Sequence, residues 1–291
     1  MREKQTGIEG PSAGGVAIVT DSTADLTREV CRRYGIRVVP LTLNIGDESI
    51  PDGTLSQAEF MRRMGAMERL PTTSQPSVGA FIDAYRSALE TASHVVSVNI
   101  SSKLSGTYSS ARRAAEDLQG KVHVVDSKNL SWGLGLQVVE AAKAAVSGAS
   151  VSDVVKRAEY ARDRVQMLVG LDSMDNLVKG GRINRIAGTV GGMLNVRITI
   201  TPKDGLLTVV RPVRGARKAL EFTVKWLEER LNGARAGAFC VMHALSEDKA
   251  AWLKDAIEQH FEPTELYVVE TGSVIATHTG TGWGVAVLPE E

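Results

Sequence analysis

Three uncharged, hydroxyl-rich segments carry the residues best suited to chemistry in this chain. Thr277-His278-Thr279-Gly280 lies near one end; Thr73-Ser74-Gln75-Pro76-Ser77 and Ser101-Ser102-Lys103-Leu104-Ser105-Gly106-Thr107 lie far upstream. Apart from Lys103 they hold no charged side chain, and each adjoins an apolar stretch that reads as a buried strand or helix. Hydrogen-bond donors without matching carboxylates suit a small anion such as a carboxylate. A carboxylate buried in apolar surroundings is costly unless several donors meet it.

Each segment also has a plainer use. Ser105 opens a helix and could serve only as its N-cap, and the TSQPS segment could cap the helix that starts near Val78. His278 could brace a glycine-rich strand end. The same residues admit a sharper chemistry, a Ser105–His278–Asp21 hydrolase, because a base beside a serine is the mark of nucleophilic catalysis. Against it, Ser105 lies in K-L-S-G-T, not in a G-x-S-x-G elbow.

Other chemistries lack their motifs. No G-x-G-x-x-G follows the first strand and no G-x-x-x-x-G-K-[ST] occurs. No His/Cys/Asp cluster has metal-ligand spacing, so no metal and no cofactor is expected. Lys179-Gly180-Gly181-Arg182 reads as a glycine C-cap with basic neighbours. Lys plus Arg (34) equals Asp plus Glu (34), which gives no field favouring nucleic acid or anionic membrane. Cys31 and Cys240 read as separate reduced thiols, consistent with a cytoplasmic protein. The longest stretch free of charge, 271–289, is too rich in glycine, threonine and serine for a transmembrane segment.

The elements that must position these segments follow from hydrophobic period and turn chemistry. With 291 residues, two α/β domains are expected. Val16–Thr20 is a strand ending in Asp21-Ser22-Thr23, and a helix ends at Gly35. Val38–Leu43 reads as a second strand, helix 78–91 presents Val78, Phe81, Tyr85 and Leu89, and His94–Ile100 and Val122–Ser127 are further strands. Helix 133–147 is apolar nearly all round, which predicts burial between layers. The alternation predicts an N-terminal doubly wound parallel sheet over 16–165, after a flexible extension at 1–15. In such sheets ligands sit at the carboxyl ends of strands, where Asp21, Ser22, Thr23, the 101–107 turn and Asp126-Ser127 fall. Residues 166–291 predict a C-terminal mixed α/β domain. Its Pro202-Lys203-Asp204-Gly205 marks an antiparallel hairpin.

At these residues the sequence resembles the DegV family of bacterial fatty-acid-binding proteins. The resemblance spans roughly 16–288 and rests on DSTADL (21–26), TSQPS (73–77), SSKLSGTYSSA (101–111), VVDS (124–127), KGGRI (179–183) and GSVIATHTGTG (272–282). It implies two domains with a long-chain fatty acid between them and no turnover of the protein's own. The carboxylate would be held by Thr73, Ser105, the N–H of Gly106 and His278, with Ser74, Thr107, Thr277 and Thr279 nearby. It further implies that a separate ATP-dependent fatty acid kinase phosphorylates the bound acid; docking on the surface near the headgroup is expected, with Arg182, Arg214 and Arg217 as candidates. Uncharged donors would leave the carboxylate more nucleophilic than an arginine clamp would. Three departures stand out. Ala276 and Thr281 replace a glycine and a proline common in the family, Trp283 adds bulk near the site, and Ala216 breaks an R-x-R pair.

Overall fold

The computed structural model describes residues 15–118, 120–183 and 196–290. The extension expected at 1–15 lies outside them except for Gly15. In chain order, β1 (Val16–Asp21) runs into a short 3-10 turn, α1 (Arg28–Tyr34) and β2 (Arg37–Val39). Then come β3 (Thr42–Ile45), β4 (Glu48–Pro51), α2 (Gln57–Gly65), β5 (Thr72–Ser74) and α3 (Val78–Leu89). β6 (His94–Asn99), α4 (Thr107–Glu116), β7 (Val122–Asp126), α5 (Ser131–Val146) and α6 (Val151–Arg164) follow.

β1, β2, β6 and β7 form an all-parallel sheet in the order β2-β1-β6-β7. Its strands read as unbroken apolar runs because both faces are covered. Ala17, Val19 and Val95 pack with Phe81 and Tyr85 of α3 and Ala111 and Ala114 of α4. The alternate residues Val16, Ile18, Val96 and Val98 pack with α5 and α6 on the other face.

The second part begins with β8 (Gln166–Leu171) and α7 (Asp175–Gly180), then β9 (Val196–Lys203), β10 (Leu206–Arg214) and α8 (Ala216–Leu231). β11 (Ala236–Ala244), α9 (Glu247–His260), β12 (Glu262–Glu270), α10 (Ser273–Thr279) and β13 (Gly282–Pro289) complete it. The six-stranded mixed sheet runs β10-β9-β8-β13-β11-β12, so β13 is wedged between β8 and β11 and antiparallel to both. α8 and α9 cover its outer face through Trp226, Leu227, Leu253 and Ile257. Its inner face meets α5, which touches both large sheets and is buried around nearly its whole circumference. The two-domain α/β architecture and the helix buried between layers agree with the sequence reading.

Two local readings differ. Val38–Leu43 is not one strand: the chain breaks at Pro40, so β2 joins the parallel sheet and β3 joins a separate antiparallel sheet, β4-β3-β5. That small sheet packs on α2 and α10 through Leu41, Leu43, Phe60, Val274 and Ala276. In addition, His278 lies on a helix, α10, and not at a strand end. The glycine-rich segment starts the next strand only after Gly280, whose φ of 65° ends the helix.

Candidate functional site

Thr73 is the middle residue of β5, and strand alternation decides its direction. Thr72 and Ser74 both accept from the Asn44 amide, at 3.3 and 3.1 Å. Thr73 therefore faces the other way, toward α10, where its Oγ1 lies 2.9 Å from Nε2 of His278. The helix-capping role open to the TSQPS segment falls to Ser77, whose Oγ accepts from the Ala80 N–H, and Thr73 is left for the cavity.

Ser105 precedes the N-cap of α4, which is Gly106. Its Oγ accepts from the Thr107 N–H at 3.2 Å and shares a hydrogen with the Thr107 hydroxyl at 2.8 Å. With the Thr107 hydroxyl donating, the hydrogen of Ser105 stays available to a ligand beside the positive end of the α4 dipole. A Cβ at Gly106 would fall 1.8 Å from Oε1 of Gln75, whose amide donates to Ser110, so that the Gln75 side chain would have to move. The loop is tied to the second domain by Ser101, whose Oγ donates to the carbonyl of Gly205 in the β9–β10 turn at 2.7 Å.

Thr73, Ser105, His278 and Arg182 line one cavity lobe of about 460 Å³, together with apolar Leu104, Leu177 and Ile275. A second lobe of about 440 Å³, walled by Met167, Val169, Ile200 and Met242, shares Leu130, Leu207, Ile275 and Thr279 with the first. On the other side, Ser105, Gly106 and Arg182 reach an outer opening that Ser74, Gln75 and Lys103 rim. The arrangement is a polar mouth leading into a mostly apolar chamber lined by residues from both parts of the chain.

His278 sets the electrostatics of the mouth. Burial, with a smaller effect of the Arg182 charge, pushes its pKa down to about 4, so the ring is neutral at pH 7. Nδ1 is buried and has no partner among the described residues, and Gly180 lies against it: a Cβ on Gly180 would stand 2.6 Å away. A buried bare acceptor costs less than a buried bare N–H. The proton therefore sits on Nε2 and is given to Thr73 Oγ1, which frees the Thr73 hydroxyl hydrogen for an anion.

Arg182 is the residue whose position the sequence reading missed. The left-handed Gly181 (φ 70°) ends α7 and turns the chain back, and the bridge between Ile183 and Leu207 pins it. Arg182, taken from sequence as a surface docking residue, lines the inner lobe as well as the outer opening. The mouth therefore carries a formal positive charge, contrary to the reading of wholly uncharged donors. Arg214 and Arg217 are placed apart from it. Arg214 is exposed at the far end of β10, seven residues beyond Leu207 and thus roughly 20 Å along the strand. Arg217 pairs with Glu221 at 2.8 Å and stacks on Trp252. Of the near-site threonines, Thr279 lines both lobes and Thr107 buttresses Ser105, while Thr277 is buried and donates to the Ser273 carbonyl.

The hydrolase alternative has no relay. His278 meets Thr73, not Ser105, and Asp21 is occupied by Thr23, Asn99 and the Ile100 N–H. Asp126, at another strand end, is likewise taken up by Ser102 and Lys128. Among the described residues no group of three or more His, Cys, Asp or Glu could hold a metal ion, and no helix is long and apolar enough to cross a membrane. The departures have local accounts. Ala276 is buried against the small sheet, and Thr281 donates to Asp172 at 2.9 Å. The Trp283 ring lies over Gly170 in the outer layer and turns its bulk away from the chamber. Ala216 opens α8 after Gly215, whose φ of 88° turns the chain out of β10.

Comparison with known proteins gives a consistent picture. The family model described as uncharacterised protein, DegV family, matches residues 15–290. A DegV domain-containing protein of Streptococcus pyogenes serotype M6 is 35% identical over 274 residues, 92% of this chain and 96% of that one. One from Caldanaerobacter subterraneus is 32% identical over 266 residues, 91% and 95% of the two chains. Among solved structures, a DegV family protein from Thermus thermophilus, described by its fatty acid binding, superposes with a TM-score of 0.90 at 34% identity, covering 95% of this chain and 100% of that one. A Thermotoga maritima protein described as revealing fatty acid binding function superposes with a TM-score of 0.87 at 30% identity and the same coverage.

Proposed function

This chain belongs to the DegV family, and on that premise we propose that it binds a long-chain fatty acid between its two domains, divided near residues 165 and 166. One observation carries the reading: a mouth of Thr73, Ser105, His278 and Arg182 opens into a largely apolar chamber. The carboxylate accepts from the Thr73 and Ser105 hydroxyls and the Gly106 N–H, with Arg182 supplying the countercharge and His278 orienting Thr73. The alkyl chain fills the two lobes. About fifteen buried methylenes at ~0.8 kcal/mol each amount to roughly 12 kcal/mol gross. Association costs of about 4–15 kcal/mol offset most of that, so the mouth decides the net affinity.

The protein is then a carrier with no turnover of its own, in the cytoplasm, and its partner is a separate ATP-dependent fatty acid kinase. The support is chemical: the mouth faces the outer opening rimmed by Ser74, Gln75 and Lys103, so a kinase can reach the carboxylate without removing the chain from its chamber. A carboxylate oxygen attacks the γ-phosphorus of ATP, the bond to the β–γ bridging oxygen breaks, and acyl phosphate and ADP result. Mass spectrometry of lipid extracted from the purified protein is the test. A long-chain acid in the extract, and uptake of palmitate or oleate by delipidated protein, is the expected result; neither one being seen overturns the reading.

A further inference from the structure

The second lobe is floored by the inner face of the six-stranded sheet, and one row of that floor lacks a side chain at one position. Ile200 on β9 stands opposite Val169 on β8, Val169 opposite Gly284 on β13, and Gly284 opposite Met242 on β11. All four line the lobe. The neighbours of Gly284 fix its direction: Val285 and Val287 belong to the outer layer, Ala286 and Leu288 to the inner core. With a period of two, position 284 faces inward. A Cβ placed there would come within 3.1 Å of Met242 Cε and 3.3 Å of Val169 Cγ2, both methyls of the lobe wall.

Backbone geometry does not require this glycine. Gly284 is absent from the positive-φ glycines, and glycine inside a strand is unfavourable relative to residues with side chains. Gly282 contrasts with it, since a Cβ there would meet the Gly170 carbonyl oxygen at 2.4 Å and glycine is imposed by the neighbouring strand. At 284 glycine lets the Met242 and Val169 methyls settle over the bare strand, and a side chain there would drive them into the chamber.

We propose that Gly284 sets the length of acyl chain that the protein accepts, by letting the Met242 and Val169 methyls lie back from the chamber. The proposal rests on the fatty-acid reading above and adds a specificity determinant to it. Each methylene denied its place costs about fourfold in affinity. Valine at 284 drives those methyls into the chamber and displaces two or three methylenes of a long chain, a loss of roughly tenfold or more for the long acid and little for a short one. Met242→Ala removes the neighbouring wall and acts in the opposite sense.

The experiment compares myristate, palmitate and stearate for binding to delipidated wild type, Gly284→Val and Met242→Ala. The expected result is a shift of about tenfold or more in the myristate-to-stearate ratio toward myristate in Gly284→Val, and a shift toward stearate in Met242→Ala. An unchanged ratio in both variants overturns the proposal, and if Gly284→Val does not fold, an unchanged ratio in Met242→Ala alone does so. A wild type that takes up none of the three acids defeats the fatty-acid reading itself, a result distinct from binding without length discrimination.

Discussion

Thr73 and His278, 205 positions apart in sequence, meet at 2.9 Å, and that contact joins the small antiparallel sheet to α10. Neither residue has a charge at neutral pH, yet together they aim one hydroxyl hydrogen into the mouth of the chamber. On the proposed reading the threonine donates to the ligand and the imidazole holds it in place.

Thr73→Val keeps the shape of the side chain and deletes the donor. A hydrogen bond to a charged group contributes about 1.5–3 kcal/mol, so fatty-acid affinity is expected to fall roughly ten- to hundredfold. Titration of delipidated protein with palmitate measures it, and an affinity equal to wild type removes Thr73 from the headgroup.

Gly180→Ala tests the ring's placement without touching a donor. Its Cβ would crowd Nδ1 of His278 at 2.6 Å and push the ring off Thr73. Fatty-acid binding should weaken although Thr73, Ser105, Arg182 and His278 all remain, and Gly180→Ala binding as tightly as wild type would show that the ring's position is immaterial.

The depressed pKa of His278 makes stability depend on pH. The group moves from an ordinary 6.5 to about 4 on folding because burial, then Arg182, disfavours its charge. Between those values the unfolded chain holds more protons, so the contribution is complete above about 6.5, falls as the pH drops toward 4, and is level below. Urea midpoints at pH 7 and pH 4.5 should differ less in His278→Gln than in wild type; equal differences would contradict the assignment.

Asp25 works in the opposite sense. Its buried carboxyl accepts from the Gly272 N–H at the start of α10 and from Ser131 at the start of α5. Burial, opposed in part by those two bonds and aided by Asp52 and Asp21, raises its pKa to about 8. The folded protein therefore retains a proton that the unfolded chain has lost between about pH 4 and 8, and stability falls with rising pH across that window. Asp25→Asn should gain on wild type steadily from pH 5 to pH 8 in denaturant midpoint, and a constant gap would rule the raised pKa out.

Elements with a strong period were legible in sequence. α3 shows its buried Phe81 and Tyr85 face, α5 is apolar all round, and the Asp204-Gly205 turn marks its hairpin. The small sheet was not, because β3, β4 and β5 are three or four residues long and mostly half-exposed, too short for an alternation to show. Thr73, Ser105 and His278 were legible as a group through residue type alone. The partner of each was not: that His278 meets Thr73 depends on α10 being a helix, and helix and strand share the same short apolar run before Thr277. Arg182 escaped because a basic residue after two glycines reads as a helix end. The Ile183–Leu207 bridge, a long-range contact, helps bring it to the chamber.

The position of β13 has a consequence for how the molecule is made. It follows every other strand in chain order, yet it occupies the interior of its sheet, with β8 on one side and β11 on the other. During synthesis β8 and β11 emerge long before the strand that joins them, and each keeps an open edge until residues 282–289 arrive. α10, with His278, directly precedes that strand. A chain halted or clipped before β13 therefore lacks the joint between the halves of its second sheet and part of the floor of its chamber together.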